Sequence, residues 1–291
     1  MGLKLFNKII HLEFLDDNGN VKTAIKCPKK GRKPSIEITG QFTETGCVPA
    51  LNIRVKNLYI EEIGDDFPAV RVTAGYDDST STFDCSVFNM YQEAPGPESM
   101  VVIQAILGGH LDKFLNNTVS GLVQEGGSLE DAIKIVSDAF EFDAPYIDKK
   151  ASKLKTETQL CLDGTAREAL RKIKEAFPSI VTTIASNKIN VYSLDDLPQE
   201  AVSRIDYMSA PVQLTGGKNN VTSAVVTGPW VPSLRCGEPV EFPTKFYAGK
   251  TGVSSSSGMT VMTPNNIQFQ FSTTGTANKM VVTGAVVKEG A

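Results

Sequence analysis

The stretch Leu51-Asn52-Ile53-Arg54-Val55-Lys56 alternates apolar and polar residues, and Val70-Arg71-Val72-Thr73-Ala74 repeats the pattern. A period of two sends one set of side chains to a core and the other to solvent, which is the signature of a half-buried strand. Working toward the N-terminus, Ser35 to Phe42 alternates through Ile36, Ile38 and Phe42. Before it, Ile10-His11-Leu12-Glu13-Phe14 and Val21 to Ile25 flank Asp16-Asp17-Asn18-Gly19, whose Asn and Gly tolerate positive φ and so predict a turn between two strands. Toward the C-terminus, Phe83, Cys85 and Val87 mark a further strand, and Gln92-Glu93-Ala94-Pro95-Gly96-Pro97 is the first strong breaker. Many short alternating strands between Gly, Asp and Pro clusters predict a small barrel or sandwich.

Beyond the breaker, a strand is expected from Val101 to Leu107, and then the period changes. Ser128-Leu129-Glu130-Asp131 opens a helix whose Leu129, Ile133, Val136 and Phe140 share one face. Thr165-Ala166-Arg167-Glu168 is a capping box, followed by the stripe Ala169, Leu170, Ile173 and Phe177 and ended by Pro178. A hairpin follows, from Ile180 to Ile184, through Ser186-Asn187, to Ile189 to Tyr192. The last ninety residues return to strands at Val221 to Val226, Val240 to Phe242, Ile267 to Phe271 and Met280 to Val287, with Ser254-Ser255-Ser256-Ser257-Gly258 as a loop. The expected fold is α+β but predominantly β: one or more small β-barrel domains with an inserted α+β module. The expected division is 1–96, an N-terminal barrel segment; 97–200, the insert with two helices; and 201–291, a C-terminal β segment that completes or adds a barrel.

Composition limits the function classes. With 29 basic and 33 acidic residues the net charge is −4, which gives no overall pull toward nucleic acid or anionic membrane. The cysteines Cys27, Cys47, Cys85, Cys161 and Cys236 are odd in number, widely spaced and without a CxxC pair, so reduced and mostly buried thiols are expected. The longest apolar run, Met100 to Gly108, contains Gln104 and is too short to span a bilayer. Lys4 and Lys8 interrupt the apolar residues of the N-terminus, so no signal peptide is read there, and Phe6 breaks the myristoylation pattern that Met1-Gly2 opens.

A search for chemistry returns little. Only His11 and His110 can serve as imidazole bases; His11 falls on the polar face of a strand, where solvation is expected, and His110 follows Gly108-Gly109 on a loop. The adjacent carboxylates Glu61-Glu62, Asp65-Asp66, Asp77-Asp78 and Asp195-Asp196 fall in expected loops without calcium-loop spacing. No P-loop, GxGxxG, HExxH or GxSxG motif occurs. The basic cluster Lys26-Cys27-Pro28-Lys29-Lys30-Gly31-Arg32-Lys33 has no interleaved aromatic residue for base stacking, and a loop facing an acidic protein neighbour is the better reading. The Asn116 and Asn220 N-x-T patterns carry meaning only in a secreted chain. No catalytic, cofactor-binding or metal-ligating residue is assigned, no cofactor is expected, and the chain is expected not to be an enzyme.

Three stretches in order, Leu51-Asn52-Ile53-Arg54-Val55-Lys56-Asn57-Leu58, Val70-Arg71-Val72-Thr73-Ala74-Gly75-Tyr76 and Phe83-Asp84-Cys85-Ser86-Val87, resemble the first barrel of the central hub family of phage tail baseplates. Val119 to Val123 with the helix from Ser128, and Gly164-Thr165 with its helix and hairpin, resemble that family's middle module. Trp230-Val231-Pro232-Ser233-Leu234-Arg235-Cys236-Gly237-Glu238-Pro239-Val240 resembles its entry to the second β segment. The likeness runs from about residue 35 to 287, with departures at Cys85, where the family commonly has Gly, and at Val212-Gln213-Leu214-Thr215-Gly216.

The resemblance implies a structural role. Family hubs form a homotrimeric ring that joins a sixfold tail tube, or tube adaptor, to a threefold central spike. Their channel passes the tape-measure protein, with DNA only in transit, and no membrane binding by the chain alone is implied. The implied location is the baseplate of the virion tail, after synthesis in a host cytoplasm. Three other readings stand beside it: a tail adaptor or tube-end protein assembling as a hexamer, a tail-associated cell-wall hydrolase using His110, and a carbohydrate-binding module using the single Trp230, although beside Pro229 and Pro232 that residue reads rather as a buried strand-end tryptophan.

Overall fold

The computed structural model describes residues 7–27, 34–43, 50–64, 67–77, 79–93, 99–107, 117–185, 188–193, 203–206, 208–210, 212–217, 220–243, 259–274 and 278–286. Seven strands come first: β1 (Lys8–Leu15), β2 (Val21–Ile25), β3 (Ile36–Thr43), β4 (Ala50–Lys56), β5 (Ala69–Tyr76), β6 (Ser79–Glu93) and β7 (Met100–Leu107). Then come β8 (Val119–Val123), helix α1 (Leu129–Ala139), β9 (Tyr146–Ile147), β10 (Leu160–Gly164), helix α2 (Ala166–Ala176), β11 (Ile180–Ala185) and β12 (Lys188–Ser193). The chain finishes with β13 (Ser203–Arg204), β14 (Gln213–Gly217), β15 (Asn220–Gly228), β16 (Val240–Pro243), β17 (Met259–Ser272) and β18 (Asn278–Val286). The predominantly β class expected from alternation is what the chain adopts. The expected Ser186-Asn187 turn and the Ser254 to Gly258 loop lie outside the described residues.

The first seven strands and the last six form one 13-stranded sheet, ordered β14-β15-β18-β17-β3-β4-β7-β6-β5-β1-β2, with β16 and β13 attached to β17. The join between the two terminal regions is β17 on β3, antiparallel, with Phe271 opposite Ile38 and Ile267 opposite Phe42. The sheet is open: among the described residues no ladder joins β2 to β14, so the closed barrel expected from the strand pattern does not form. The segment after β15 shows how the core is sealed without a ladder. It carries Pro229 and Pro232, which lack the N–H that a strand must donate, so it covers the core with side chains instead.

Trp230 is the centre of that cover. Its ring stacks on Phe269 at 4.7 Å and lies 4.8 Å from Phe271 and 6.4 Å from Phe83. Asn278 Oδ1 accepts from Trp230 N at 3.1 Å, and Tyr76 Oη sits 2.9 Å from the same oxygen and 3.1 Å from Trp230 O. β5, β18 and the sealing segment are thereby tied at one point. Tight backbone approach adds to the seam between β17 and β18: a Cβ on Gly284 would stand 2.3 Å from Thr263 O, beside the bulge at Pro264 to Asn266.

The middle of the chain builds its own core. β8 pairs with β10, and β12 lies between antiparallel β11 and parallel β9. Both helices open as the sequence predicts. Asp131 N donates to Ser128 Oγ at 3.1 Å and Ser128 N to Asp131 Oδ2 at 3.0 Å; Thr165 and Glu168 repeat the exchange at 3.3 and 2.9 Å. The two apolar stripes are buried together with Val119, Leu162, Ile180, Ile189 and Val191, separately from the cluster that fills the large sheet. β7 belongs to the large sheet, between β4 and β6.

Candidate functional site

The residues singled out by sequence do not converge. His11 is half-buried rather than solvated: its Nδ1 accepts from Cys27 N at 2.9 Å. Burial, with Lys26 nearby and Glu13 opposing, holds its pKa below the ordinary value. The engaged ring nitrogen ties the Cys27 end of the chain to β1. His110, Cys47, Asn116, Asp65-Asp66, Asp195-Asp196 and residues 28–33 of the basic cluster lie outside the described residues. Glu62 serves a single helical turn, Ile60–Ile63, by accepting from Tyr59 N at 3.5 Å. Trp230 is 1% exposed, which removes it as a sugar platform. No cluster of three or more His, Cys, Asp or Glu suited to a metal occurs among the described residues.

The thiols divide. Cys27, Cys85 and Cys236 are buried, and burial pushes the Cys85 thiol far up. Cys161 is the exposed one among the described thiols, on β10; it donates to Asp163 Oδ2, which raises its pKa.

What the strands do assemble is a surface. Cross-strand register places Thr227, Val281, Gln268, Gln41, Ala50, Ile106 and Ser86 in one row over β15, β18, β17, β3, β4, β7 and β6. The neighbouring row reads Gln270, Thr39, Asn52, Gln104 and Asn89. All twelve positions are exposed or half-exposed, and none is charged. A shallow concavity lies over them, lined by Thr39, Gln41, Asn52, Gln104 and Gln268 with Phe88 at one side. A bulge between Val87 and Asn89 throws Phe88 outward, leaving it 49% exposed. Within the band, Asn89 Nδ2 donates to Gln104 Oε1 at 3.1 Å and Gln41 Nε2 to Asn266 Oδ1 at 3.2 Å. Asn52 Oδ1 is buried with no partner among the described residues.

Solved structures share this architecture. The 43 kDa tail protein of prophage MuSo2 from Shewanella oneidensis matches over 97% of each chain, at 10% identity and a TM-score of 0.58. The tail protein from Neisseria meningitidis MC58 matches over 96% of this chain and 97% of its own, at 7% identity and a TM-score of 0.57. An E. coli type VI secretion system component, described as structurally similar to the T4 bacteriophage tail proteins gp27 and gp5, matches over 89% and 76%, at 7% identity and a TM-score of 0.56. This is the fold of phage tail proteins. No protein-family model and no curated protein matches the sequence.

Within this tail-protein fold charged groups border the band: Lys279 on β18 stands opposite Gln270, whose Nε2 donates to Glu37 Oε1 at 2.7 Å. Glu13, Arg71 and Asp84 lie directly across β1, β5 and β6, with Arg71 Nε 2.6 Å from Asp84 Oδ1 and Arg71 Nη1 3.8 Å from Glu13 Oε2. Glu37 and Arg54 form the charged border on β3 and β4. In the sealing segment, Arg235 donates to Pro232 O and Leu234 O at 2.7 and 2.8 Å and lies over the Phe83 ring. Burial lowers its pKa from the guanidinium norm and raises that of Glu238, each partly offset by the other. The Glu238 charge also adds to the burial that raises Tyr192 on β12. Sequence reasoning missed the band because its members come from seven strands scattered along the chain; only the register brings them together.

Proposed function

We propose that this chain is a non-catalytic structural component of a phage tail, and within it the baseplate hub. As a hub it joins a sixfold tail tube or tube adaptor to a threefold spike and lines the channel for the tape-measure protein and DNA. The observation that carries the reading is the fold, shared end to end with a prophage tail protein over 97% of both chains. The hub within that class is supported by the order of motifs from Leu51 to Val240. An open sheet adds a physical reason: among the described residues its end strands β2 and β14 have no second ladder neighbour, and assembly in a ring is one way to cover such edges.

The test is stoichiometry in assembled tails. Averaged electron micrographs of tail tips, with the chain located by a fused tag, are expected to show three copies between tube and spike. Six copies at the tube end make it an adaptor, and a position away from the tube axis removes the tail-hub reading. Purified chain that clears peptidoglycan, and loses this with His110→Ala, makes it a hydrolase.

A further inference from the structure

The outward positions of one continuous sheet hold two chemistries. Over β1, β5 and β6 they carry the Glu13-Arg71-Asp84 ion pairs. Over β15, β18, β17, β3, β4, β7 and into β6, one row carries hydroxyls, carboxamides and small or branched apolar groups without one charge, and the row beside it does the same from β17 to β6, ending at the exposed Lys279 on β18. Three surroundings ask for different surfaces. A face in open solvent carries mixed charges, as the ion-paired stretch does. A face buried between copies is enriched in aromatic and other apolar groups, because carboxamides left without partners in a dry contact are costly. A face on a narrow wet passage needs hydrogen-bonding groups without fixed charge. There, water and a moving chain exchange partners at similar strength, whereas a lysine or glutamate would hold an opposite charge more firmly than in bulk water.

Resting on the hub reading, we infer that the band centred on Gln41, Asn52, Gln104 and Gln268 is the part of the sheet turned to the axis, forming the wall of the channel. Its concavity is the inner curve of that wall. The rows run across the strands, one uncharged over seven strands and the other over five, so each copy contributes a continuous strip rather than isolated polar spots. Asn52 Oδ1 lies buried beneath the floor of the concavity without a partner among the described residues. The Glu13-Arg71-Asp84 stretch faces away from the axis.

Thiol mapping of the purified assembly tests this. In a Cys47→Ser, Cys161→Ser background, Gln268→Cys and Gln104→Cys are compared with Thr82→Cys and Glu157→Cys, two exposed positions outside the band. Each is treated with biotin-maleimide and then streptavidin, and oligomer size is read by light scattering. The expected result is biotin on all four in the intact oligomer, with the streptavidin shift lost only for Gln268→Cys and Gln104→Cys. Capture through those two positions turns the band outward and overturns the inference while the ring stands. Failure to biotinylate them at all makes the band a contact between copies, which also overturns it. A monomer at every concentration removes the ring itself and the inference with it.

Discussion

Trp230 is the only tryptophan in the chain and is sandwiched against Phe269 with an interplanar angle of 7°. Because it closes the core where no ladder does, truncating it opens the seal. Trp230→Ala is expected to cost about 3–5 kcal/mol, in the range of large aromatic deletions, and Trp230→Phe less, measured by urea unfolding followed by circular dichroism. Sequence placed this residue at a strand end and buried, from its flanking prolines. It did not place Cys161 at the surface or give His11 an acceptor role, because both depend on neighbours supplied by other strands. For Cys161 the consequence is measurable. Asp163→Asn is expected to lower the thiol pKa toward its ordinary value and speed reaction with Ellman's reagent at pH 8 several-fold. Cys27, Cys85 and Cys236 should stay unreactive until the protein unfolds.

At the scale of elements, local signals were the most legible. The helix start predicted at Ser128 and the capping box predicted at Thr165 both form, each as a capping box, because a cap is written within four consecutive residues. Ser128→Ala and Thr165→Ala are each expected to cost about 1 kcal/mol, read from urea midpoints. The caps also predict a pH dependence. The Ser128 hydroxyl and backbone hold the Asp131 carboxyl below its ordinary pKa, and the Thr165 backbone N–H and hydroxyl do the same for Glu168. Lowered carboxyl values mean the unfolded chain binds protons first. The stabilisation is therefore complete above the ordinary carboxylate range and is lost as pH falls through the folded-state values. Asp131→Asn with Glu168→Gln should flatten the acid limb of a stability-against-pH curve between pH 5 and pH 2, and an unchanged limb would count against the caps as its source. Strands were legible as strands, through alternation, but their partners were not. β6 and β17 each change partners along their length, and nothing in Phe83 to Val87 or Ile267 to Phe271 announces that.

Among the described residues the molecule has two separate apolar clusters, one in the large sheet and one in the helical module. Residues 117–193, expressed alone, are expected to unfold cooperatively in urea with helical circular dichroism. A non-cooperative melt would mean that the module needs the large sheet. Openness was not legible from sequence, since a closed and an open sheet share one alternation and differ only at their ends. Nor was the uncharged band, which exists only once β15, β18, β17, β3, β4, β7 and β6 are in register.

The β3–β17 seam also sets an order of events during translation. Ile36 N donates to Thr273 Oγ1 across 237 positions, so the ribosome must add most of the chain before β3 meets its second neighbour. At roughly 5–20 residues per second, the nascent N-terminal strands wait about 10–50 seconds with that edge uncovered. A truncated product ending before Met259 would never cover it and would be drawn into aggregates rather than into tails.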